Sequence, residues 1–382
     1  MRNILYMNKL KVLLISVLKL GLTVLYAPMK LFKTKNRIVY LSRQSNDKSI
    51  DMRLLERAIK TELPDTEQVF RLRMIPDGIG AKIKYCFGII GDMYYLATSK
   101  IAMLDTYSIT VSCLNHKKAL KVIQMWHASG AIKKFGLQSL GSKEGRDENI
   151  SRAMCMHRNY DYILAPSKAT AAFYMDAFGY GADKMKICSL PRVDEVLTET
   201  GSTSAFFREN PALSHKKIVL YLPTFRDRER EAVQLLKNGF SDCSMCDYHL
   251  IVSTHPLFSK VERDEQFSYN GSYSVYDLMK VADIIITDYS ACAFDASLLM
   301  KPLYFYVPDY DEYNRDRGMN IELKAEMPSA CFENADELWN SIKSQQYDLN
   351  ALYSFKSKYM ENTNSNNAEI LAKFISLLIK EA

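Results

Sequence analysis

Short apolar runs that alternate with amphipathic segments constrain the fold of this chain more than any other feature. Each run has the length and the β-branched or aromatic content of a buried strand. The predicted strands lie at 37–42, 93–99, 121–127, 162–165, 218–222, 249–253, 283–287 and 303–307. Segments with helical periodicity lie at 50–61, 101–107, 168–178, 275–281, 292–300 and 367–380. Buried strands that alternate with helices predict an α/β protein with largely parallel sheets covered on both faces.

The length of 382 residues exceeds what one hydrophobic core usually serves, and it favours more than one domain. A stretch rich in Thr, Ser and Glu at 195–214 is typical of a linker. We therefore predict a membrane-associating segment at 1–35 and two Rossmann-like domains, at 36–200 and 201–382, that face each other across a cleft. The last predicted helix can dock on either half, including the N-terminal one.

The positive charge of the chain is concentrated at its N-terminus. The net charge is +6, and residues 1–46 contain nine Lys or Arg side chains and no acidic one. The rest of the chain carries slightly more acidic than basic side chains. Its composition therefore gives no indication of nucleic-acid binding.

Residues 7–27 are mostly apolar, and Lys19 interrupts the run. Except for Lys11, the polar side chains in and directly after this run fall within about 100° of one another on a helical wheel. They are Asn8, Lys9, Ser16, Lys19, Thr23 and Lys30. This pattern is typical of an amphipathic helix in the plane of a membrane interface, with its lysines over anionic head groups. A packed core helix and a membrane span are the alternatives, although Lys19 leaves an uncharged stretch shorter than the ~18 residues that a span needs.

The strongest local signal is a buried strand that runs into the turn DYS at 288–290 and then into a helix. Ser290 is a suitable N-cap. The backbone N–H groups of Ala291, Cys292 and Ala293 would then point outward at the carboxyl end of the sheet. Phosphate binds at such a helix start in open α/β folds, and a plain capped helix is the alternative.

A histidine ends another predicted strand. His127 is followed by small residues, which include Ser129 and Gly130, and then by Lys133 and Lys134. An imidazole at the carboxyl end of a strand can take a proton from an acceptor hydroxyl. The alternative is a structural histidine beside the preceding tryptophan.

Two further predicted strands also end in polar groups. The motif THP places His255 at one strand end, where the proline stops the strand. The motif YLPTFR places Thr224 and Arg226 at another, and a planar guanidinium suits a diphosphate. A packing histidine and a solvated arginine are the alternatives. Two histidines, an arginine and a capped helix start at separate strand ends together favour phosphate transfer.

The acidic motif Asp309-Tyr310-Asp311 has the D-x-D spacing that metal-dependent sugar transferases use. In a chain with 44 acidic side chains, one such match is expected by chance. The sequence therefore predicts no metal site.

Six motifs occur in a fixed order over roughly residues 85–320. They are QMWHASGAIKKFG, SLPRVD, YLPTFR, STHP, ITDYSACAFD and KPLYFYVPD. Together they resemble the CDP-glycerol glycerophosphotransferase family of teichoic-acid synthesis. No single motif is specific for the family, whereas the set is.

The resemblance implies a GT-B-like fold and transfer without a metal or another cofactor. It implies that His127 and His255 match the two histidines needed for transfer, and that the N-terminal domain serves the acceptor and the C-terminal domain the nucleotide donor. The implied donor and phosphate contacts are Thr224, Arg226, Asp288, Ser290, Ala291, Cys292 and Asp295. Further candidates at the cleft are Ser129, Gly130, Lys133, Lys134 and Arg192.

The implied reaction moves a glycerol phosphate or related polyol phosphate from a CDP-activated donor to a hydroxyl of a lipid-linked or polymer acceptor, and it releases CMP. The chain would work peripherally at the cytoplasmic face of the membrane. Ala128 and Ala291 depart from the common family pattern, so the identity of the transferred unit stays open, as do the acceptor and the choice between priming and polymerisation. A GT-B glycosyltransferase that uses a nucleotide sugar and a non-catalytic scaffold are the alternative functions.

Overall fold

The computed structural model describes residues 2–143, 145–224, 229–242, 245–253 and 273–381. The strands are β1 (Arg37–Ser42), β2 (Glu67–Leu72), β3 (Ile101–Leu104), β4 (Lys121–Gln124), β5 (Tyr162–Ala165), β6 (Met185–Ile187), β7 (Lys217–Leu222), β8 (Tyr248–Val252), β9 (Ile284–Thr287), β10 (Leu303–Tyr306) and β11 (Cys331–Phe332). Every ladder between these strands is parallel, which confirms the predicted α/β class.

Helices connect the strands. They are α1 (Arg2–Met29), α2 (Ile50–Glu62), α3 (Ile79–Thr98), α4 (Ile109–Cys113), α5 (Glu148–Ala153), α6 (Lys168–Phe178), α7 (Arg192–Leu197), α8 (Ser202–Glu209), α9 (Glu229–Asp242), α10 (Val275–Val281), α11 (Cys292–Ser297), α12 (Tyr310–Arg317), α13 (Leu323–Glu326), α14 (Ala335–Ser344), α15 (Leu349–Tyr359) and α16 (Asn367–Glu381). Side-chain caps start several of them, for example Ser49 before α2 and Ser167 before α6.

Most predicted elements are confirmed to within a few residues, and three predictions are wrong. The predicted strand at 93–99 is the end of α3, and the predicted helix at 101–107 begins with β3. Short apolar runs fit either structure, because periodicity alone cannot separate a buried strand from a buried helix segment. The predicted linker at 195–214 contains α8, whose Phe206 is buried.

The described chain divides into two compact units. The first unit comprises residues 1–127, 134–192 and 366–382, and the second comprises residues 128–133 and 193–365. The short segment directly after His127 therefore belongs to the second unit, while α16 belongs to the first.

The first unit is built on a sheet with the strand order β2-β1-β3-β4-β5-β6. The strand order reverses between β1 and β3, which makes this position a topological switch point, where open α/β sheets bind ligands. Its core packs apolar side chains of the central strands against α2 and α16, with Leu55, Ile101 and Ile375 fully buried. Lys100 Nζ donates to the carbonyl of Ile379 at 2.7 Å, which holds the end of α16 to this unit.

Helix α1 packs against the rest of the first unit along one stripe of the helix surface. Lys19 Nζ donates to Cys155 Sγ at 3.0 Å, Leu22 is buried, and the hydroxyl of Tyr26 bonds to His116 Nδ1 at 2.8 Å. The opposite surface is apolar and exposed. It consists of Leu10, Leu13, Leu14, Val17, Leu18, Leu20, Val24 and Leu25. Part of the predicted polar arc therefore contacts protein, and the leucines face outward.

By length and composition, Lys9–Met29 could cross a membrane, with a mean hydropathy of 1.9. Core helices of soluble proteins and signal sequences can have the same length and composition. Lys19, near the middle of this stretch, donates to Cys155 of the same unit.

The second unit is built on a sheet with the order β11-β10-β9-β7-β8. Its switch point lies between β7 and β9. Phe294 of α11 stacks on Phe355 of α15, with ring centroids 5.6 Å apart. The indole N–H of the buried Trp339 donates to the carbonyl of Leu236 at 3.0 Å, which satisfies its one polar group.

Candidate active site

Strand β4 ends at Gln124, so His127 lies in the loop after the strand and not within it as predicted. Trp126 has a φ of +59°, a conformation that non-glycine residues rarely adopt. Gln124 holds this turn, because its Oε1 accepts from the Trp126 N–H at 2.9 Å and its Nε2 donates to the carbonyl of Thr106 at 3.3 Å. Such unusual backbone geometry is often concentrated at functional sites.

The orientation of the His127 ring follows from one hydrogen bond. Nδ1 lies 2.9 Å from the carbonyl oxygen of Asp105, which follows β3. A carbonyl can only accept, so Nδ1 carries the proton and Nε2 is the basic nitrogen of the neutral ring. The Trp126 ring lies 4.1 Å from the imidazole centroid and stacks on Phe135 at 4.8 Å, which packs the loop on one side.

Asp105 is a candidate residue that no sequence motif indicated. Its side chain is 3% exposed, and its Oδ1 has no hydrogen-bond partner among the described residues. Burial raises the pKa of Asp105 to about 6, against the lowering effect of hydrogen bonds from Ser42 and Thr106. A buried carboxyl with a raised pKa beside a candidate base is a functional-site signal. The sequence hint was an acidic residue directly after the apolar run of β3.

Thr224 and Asp288 meet at the switch point of the second unit. Asp288 is fully buried and accepts from the Thr224 N–H at 2.9 Å and from its hydroxyl at 2.5 Å. The two residues follow β7 and β9, which are neighbours in the sheet. Their predicted place at the donor phosphates stays a prediction, and the geometry shows them bonded to each other.

The helix start near Ser290 differs from the prediction. The N-cap of α11 is Ala291, already in a helical conformation at φ −66° and ψ −11°, and its side chain makes no cap. The Cys292 N–H donates to Ser290 Oγ at 3.4 Å, and the Ala293 N–H donates to the Ser290 carbonyl at 3.2 Å. A tight first turn therefore engages two of the three amides that were expected to point outward. Burial raises the pKa of the Cys292 thiol to about 11.

The small-residue segment after His127 packs within the second unit. Ser129 Oγ donates to Asp295 Oδ1 at 2.5 Å, and both residues are buried. A Cβ at Gly130 would overlap the ring of Phe294, so only glycine fits there. Of these predicted site residues, Ser129 and Asp295 thus bond to each other, and Gly130 packs against Phe294.

The remaining candidates are spread over both units. Arg192 binds Asp51 through its backbone N–H at 2.8 Å and its Nε at 2.9 Å, an ion pair within the first unit. Lys133 forms an isolated bridge with Met319, and Lys134 is exposed. Their roles at a site stay predictions.

Two predicted residues, Arg226 and His255, lie outside the described residues. Of the D-x-D motif, Asp309 Oδ1 accepts from the hydroxyl of Tyr289 at 3.0 Å. Within the described ranges, no group of three or more His, Cys, Asp or Glu side chains could hold a metal ion.

Comparison with known proteins agrees with the sequence motifs. The family described as CDP-Glycerol:Poly(glycerophosphate) glycerophosphotransferase matches residues 24–377. The chain is 28% identical to the teichoic acid ribitol-phosphate primase of Bacillus spizizenii (strain ATCC 23059 / NRRL B-14472 / W23) over 354 residues, which cover 89% of this chain and 91% of that protein. It is also 28% identical to the teichoic acid glycerol-phosphate primase of Bacillus subtilis (strain 168), over 76% of this chain and 77% of that protein.

Among solved structures, the wall teichoic acid polymerase TagF superposes with a TM-score of 0.72. The alignment covers 98% of each chain at 19% sequence identity. This similarity concerns the fold, and it agrees with the GT-B-like class that the resemblance implied.

Proposed function

This chain belongs to the CDP-glycerol:poly(glycerophosphate) glycerophosphotransferase family and transfers a polyol phosphate from a CDP-activated donor to a polymer acceptor, and from that premise we propose that His127 is its general base. The observation that carries the proposal is the hydrogen bond between His127 Nδ1 and the Asp105 carbonyl. A general base must present an unprotonated nitrogen near neutral pH, and this bond assigns the proton to the other nitrogen.

In the proposed reaction, His127 Nε2 takes the proton of the acceptor hydroxyl. That oxygen forms a bond to the β-phosphorus of the donor, while the bond between this phosphorus and the bridging oxygen breaks. CMP leaves with that oxygen and its electron pair, and the proton later passes from the imidazolium to solvent. Positioning and charge stabilisation supply most of the acceleration in phosphoryl transfer, and the base adds roughly 10²–10⁴ in rate.

The donor contacts of this proposal come from the sequence motifs. Arg226 and His255 offset the charge of the pyrophosphate, and the backbone at Ala291 donates to it. Thr224 and Asp288 stabilise the neighbouring strand ends, as their mutual hydrogen bonds indicate. The predicted independence from metals and cofactors is part of the same proposal.

The chain also works at a membrane surface in this proposal. The stripe of α1 that contains Lys19 is engaged with the first unit, and the exposed face carries leucine and valine side chains. A helix docked on its own protein along one side, with apolar side chains on the other, suits insertion in the plane of the interface. We place this surface at the cytoplasmic face, where a CDP-activated donor and a lipid-linked acceptor meet.

The test is a donor panel with an identified nucleotide product. The purified chain is incubated with bacterial membrane extract and CDP-glycerol, CDP-ribitol or UDP-sugars, with and without EDTA. We expect CMP from one of the CDP-polyols, equally in EDTA, and no UDP. UDP release from a sugar donor would favour the glycosyltransferase alternative.

His127→Ala tests the base. We expect turnover to fall by roughly 10²–10⁴ with unchanged thermal unfolding, because the ring lies in a loop and contributes little to the core. His215→Ala, at an exposed histidine, is the matched control and should keep full turnover. Near-normal CMP release by the His127 variant would refute the assignment.

A further inference from the structure

A pocket lies at the topological switch point of the first unit, where β1, β2 and β3 end. It is partly open, and its space of about 400 Å³ includes solvent at its mouth. Helix α3 and the start of α4 line its other side. The charged residues of its lining are Arg43, Arg71, Arg73 and Asp92. We call it the arginine pocket.

The arginine pocket has more positive than negative charge. Its single carboxylate, Asp92, accepts from Arg71 Nε at 2.9 Å and also pairs with Arg73. Within the described part of the chain, no carboxylate pairs with Arg43, whose guanidinium lies over the ring of Tyr107. The pocket thus has three guanidinium groups and one carboxylate, at a site where open α/β sheets bind ligands.

Two buried donors in this pocket are unsatisfied. The Nε atoms of Arg43 and Arg73 are inaccessible to solvent and have no hydrogen-bond partner among the described residues. Buried polar groups in folded proteins almost always have partners, so two such donors at one pocket call for an explanation. Burial also lowers the pKa of Arg43, and a bound anion would oppose that effect.

Two glycines of α3 give the arginines room. A Cβ at Gly88 would overlap the Arg73 guanidinium, and a Cβ at Gly91 would lie 2.6 Å from Arg71 Nη2. Arg71 Nη2 donates to the Gly88 carbonyl at 3.0 Å. Glycine inside a helix lowers the stability of the helix. The close approach of the guanidinium groups to the helix backbone explains why glycine occupies these two positions.

The arginine pocket and the proposed base are linked through consecutive residues. The Arg43 N–H donates to Thr106 Oγ1 at 3.3 Å, and Thr106 lines the pocket. The preceding residue, Asp105, holds the His127 ring through its carbonyl. A ligand in the pocket therefore lies in the same unit as His127 and on the loop that orients it.

We propose that the arginine pocket binds a phosphate ester of the acceptor, next to the hydroxyl that reacts. Guanidinium groups match phosphate oxygens in a bidentate manner, and the hydroxyls of Ser42 and Thr106 suit a polyol. The terminal polyol phosphate of a polymer and the phosphate of a lipid carrier share this chemistry. The inference rests on the proposed function in one respect, namely that the chain has a polyol phosphate acceptor.

Direct binding is the first test, and it needs no turnover. The full chain is titrated calorimetrically with sn-glycerol 3-phosphate and, separately, with glycerol. We expect the phosphate ester to bind and glycerol not to bind. Arg43→Gln combined with Arg73→Gln should weaken binding by roughly ten- to hundredfold, the range for lost charged hydrogen bonds. Arg53→Gln combined with Arg57→Gln, at two exposed positions of α2, removes the same charge and is the control that should bind as the original chain does.

Kinetics separate the acceptor from the donor. With graded membrane extract, the double variant should raise the KM for acceptor roughly ten- to hundredfold and leave the KM for CDP-glycerol within about twofold. Gly88→Ala keeps every charge and displaces Arg73, so it should change the acceptor KM in the same direction even if the double variant folds poorly.

The outcomes distinguish the two proposals. CMP release with unchanged acceptor KM and unchanged glycerol phosphate binding in both variants would overturn the arginine pocket. Loss of binding to phosphatidylglycerol vesicles alone, with acceptor KM unchanged, would also overturn it, because the pocket would then serve membrane lipid. Glycerol phosphate binding that depends on Arg43 and Arg73, in a chain that releases no CMP, would support the pocket and refute the transferase proposal.

Discussion

Asp105 allows a quantitative test of the site through protein stability. Its pKa is raised from 3.8 to about 6 by burial, so the native state holds a proton that the unfolded state has already lost. Stability is therefore lost as the pH rises from about 4 to about 6, and the full cost of about 3 kcal/mol applies above that range. Asp105→Asn removes the ionisation and keeps the shape of the side chain.

The expected difference between variant and original chain follows from the same linkage. At pH 4.5 the Asn variant should be more stable by about 1 kcal/mol, and at pH 7.5 by about 3 kcal/mol. Urea unfolding followed by tryptophan fluorescence measures this difference in stability. The sequence contains two tryptophans, Trp126 and Trp339. In a Trp339→Phe background, fluorescence reports Trp126 and hence the first unit alone.

Asp65→Asn, at an exposed carboxylate, is the control and should change stability by less than about 0.5 kcal/mol at either pH. A gain from Asp105→Asn that is equal at both pH values would contradict the reasoning, because it would come from packing and not from ionisation. A loss at pH 7.5 would show that the carboxylate is stabilised by partners.

Two further predictions concern the second unit and the membrane. Thr224→Val removes the hydroxyl that donates to the fully buried Asp288 carboxylate, and it should lower the free energy of unfolding of the second unit, followed by Trp339 fluorescence, by about 1–3 kcal/mol. Thr203→Val, at an exposed position of α8 in the same unit, should change this free energy little, and equal stability of the Thr224 variant and the original chain would refute the structural role. Leu13 and Leu20 of α1 are 60% and 67% exposed, and Leu13→Gln combined with Leu20→Gln should weaken binding in a vesicle flotation assay at least tenfold, because each apolar side chain contributes about 1.5–3 kcal/mol when buried. Leu377→Gln, at an exposed leucine of α16, is the control and should leave flotation unchanged. Unchanged flotation of the double variant would exclude α1 as the membrane contact.

The sequence predicted the central strands well because they are buried on both faces. Strands β1, β5 and β7 are continuous apolar runs, which is the pattern of a parallel sheet. The edge strand β2 was missed because its sequence EQVFRL mixes polar and apolar residues and its side chains are half-buried. Arg71 and Arg73 belong to that edge, so the arginine pocket could not be found without the structure.

The candidate site also contains residues that the sequence predicted and contacts that it could not predict. His127 was found because a histidine after an apolar run is visible as a motif, and its hydrogen bond to the Asp105 carbonyl agrees with the proposed role. The amides near Ser290 were misjudged because sequence cannot tell whether a helix opens with a tight turn that uses its own N–H groups. The contact between Ser129 and Asp295 joins residues 166 positions apart, and no local pattern encodes it.

The two switch points differ in what they leave unsatisfied, and that difference supports the assignment of ligands. In the second unit, the Asp288 carboxylate is met by Thr224, and the residues predicted to meet donor charge, Arg226 and His255, follow β7 and β8 outside the described ranges. In the first unit, the two buried Nε donors of the arginine pocket have no partner in the described chain. A protein whose only ligand were the donor would have no reason to keep those donors buried and unsatisfied, because each costs about 1–3 kcal/mol. A second anion, held in the unit that carries His127, would satisfy these donors once the two arginine side chains turn toward it, and it would place its hydroxyl within the unit of the proposed base.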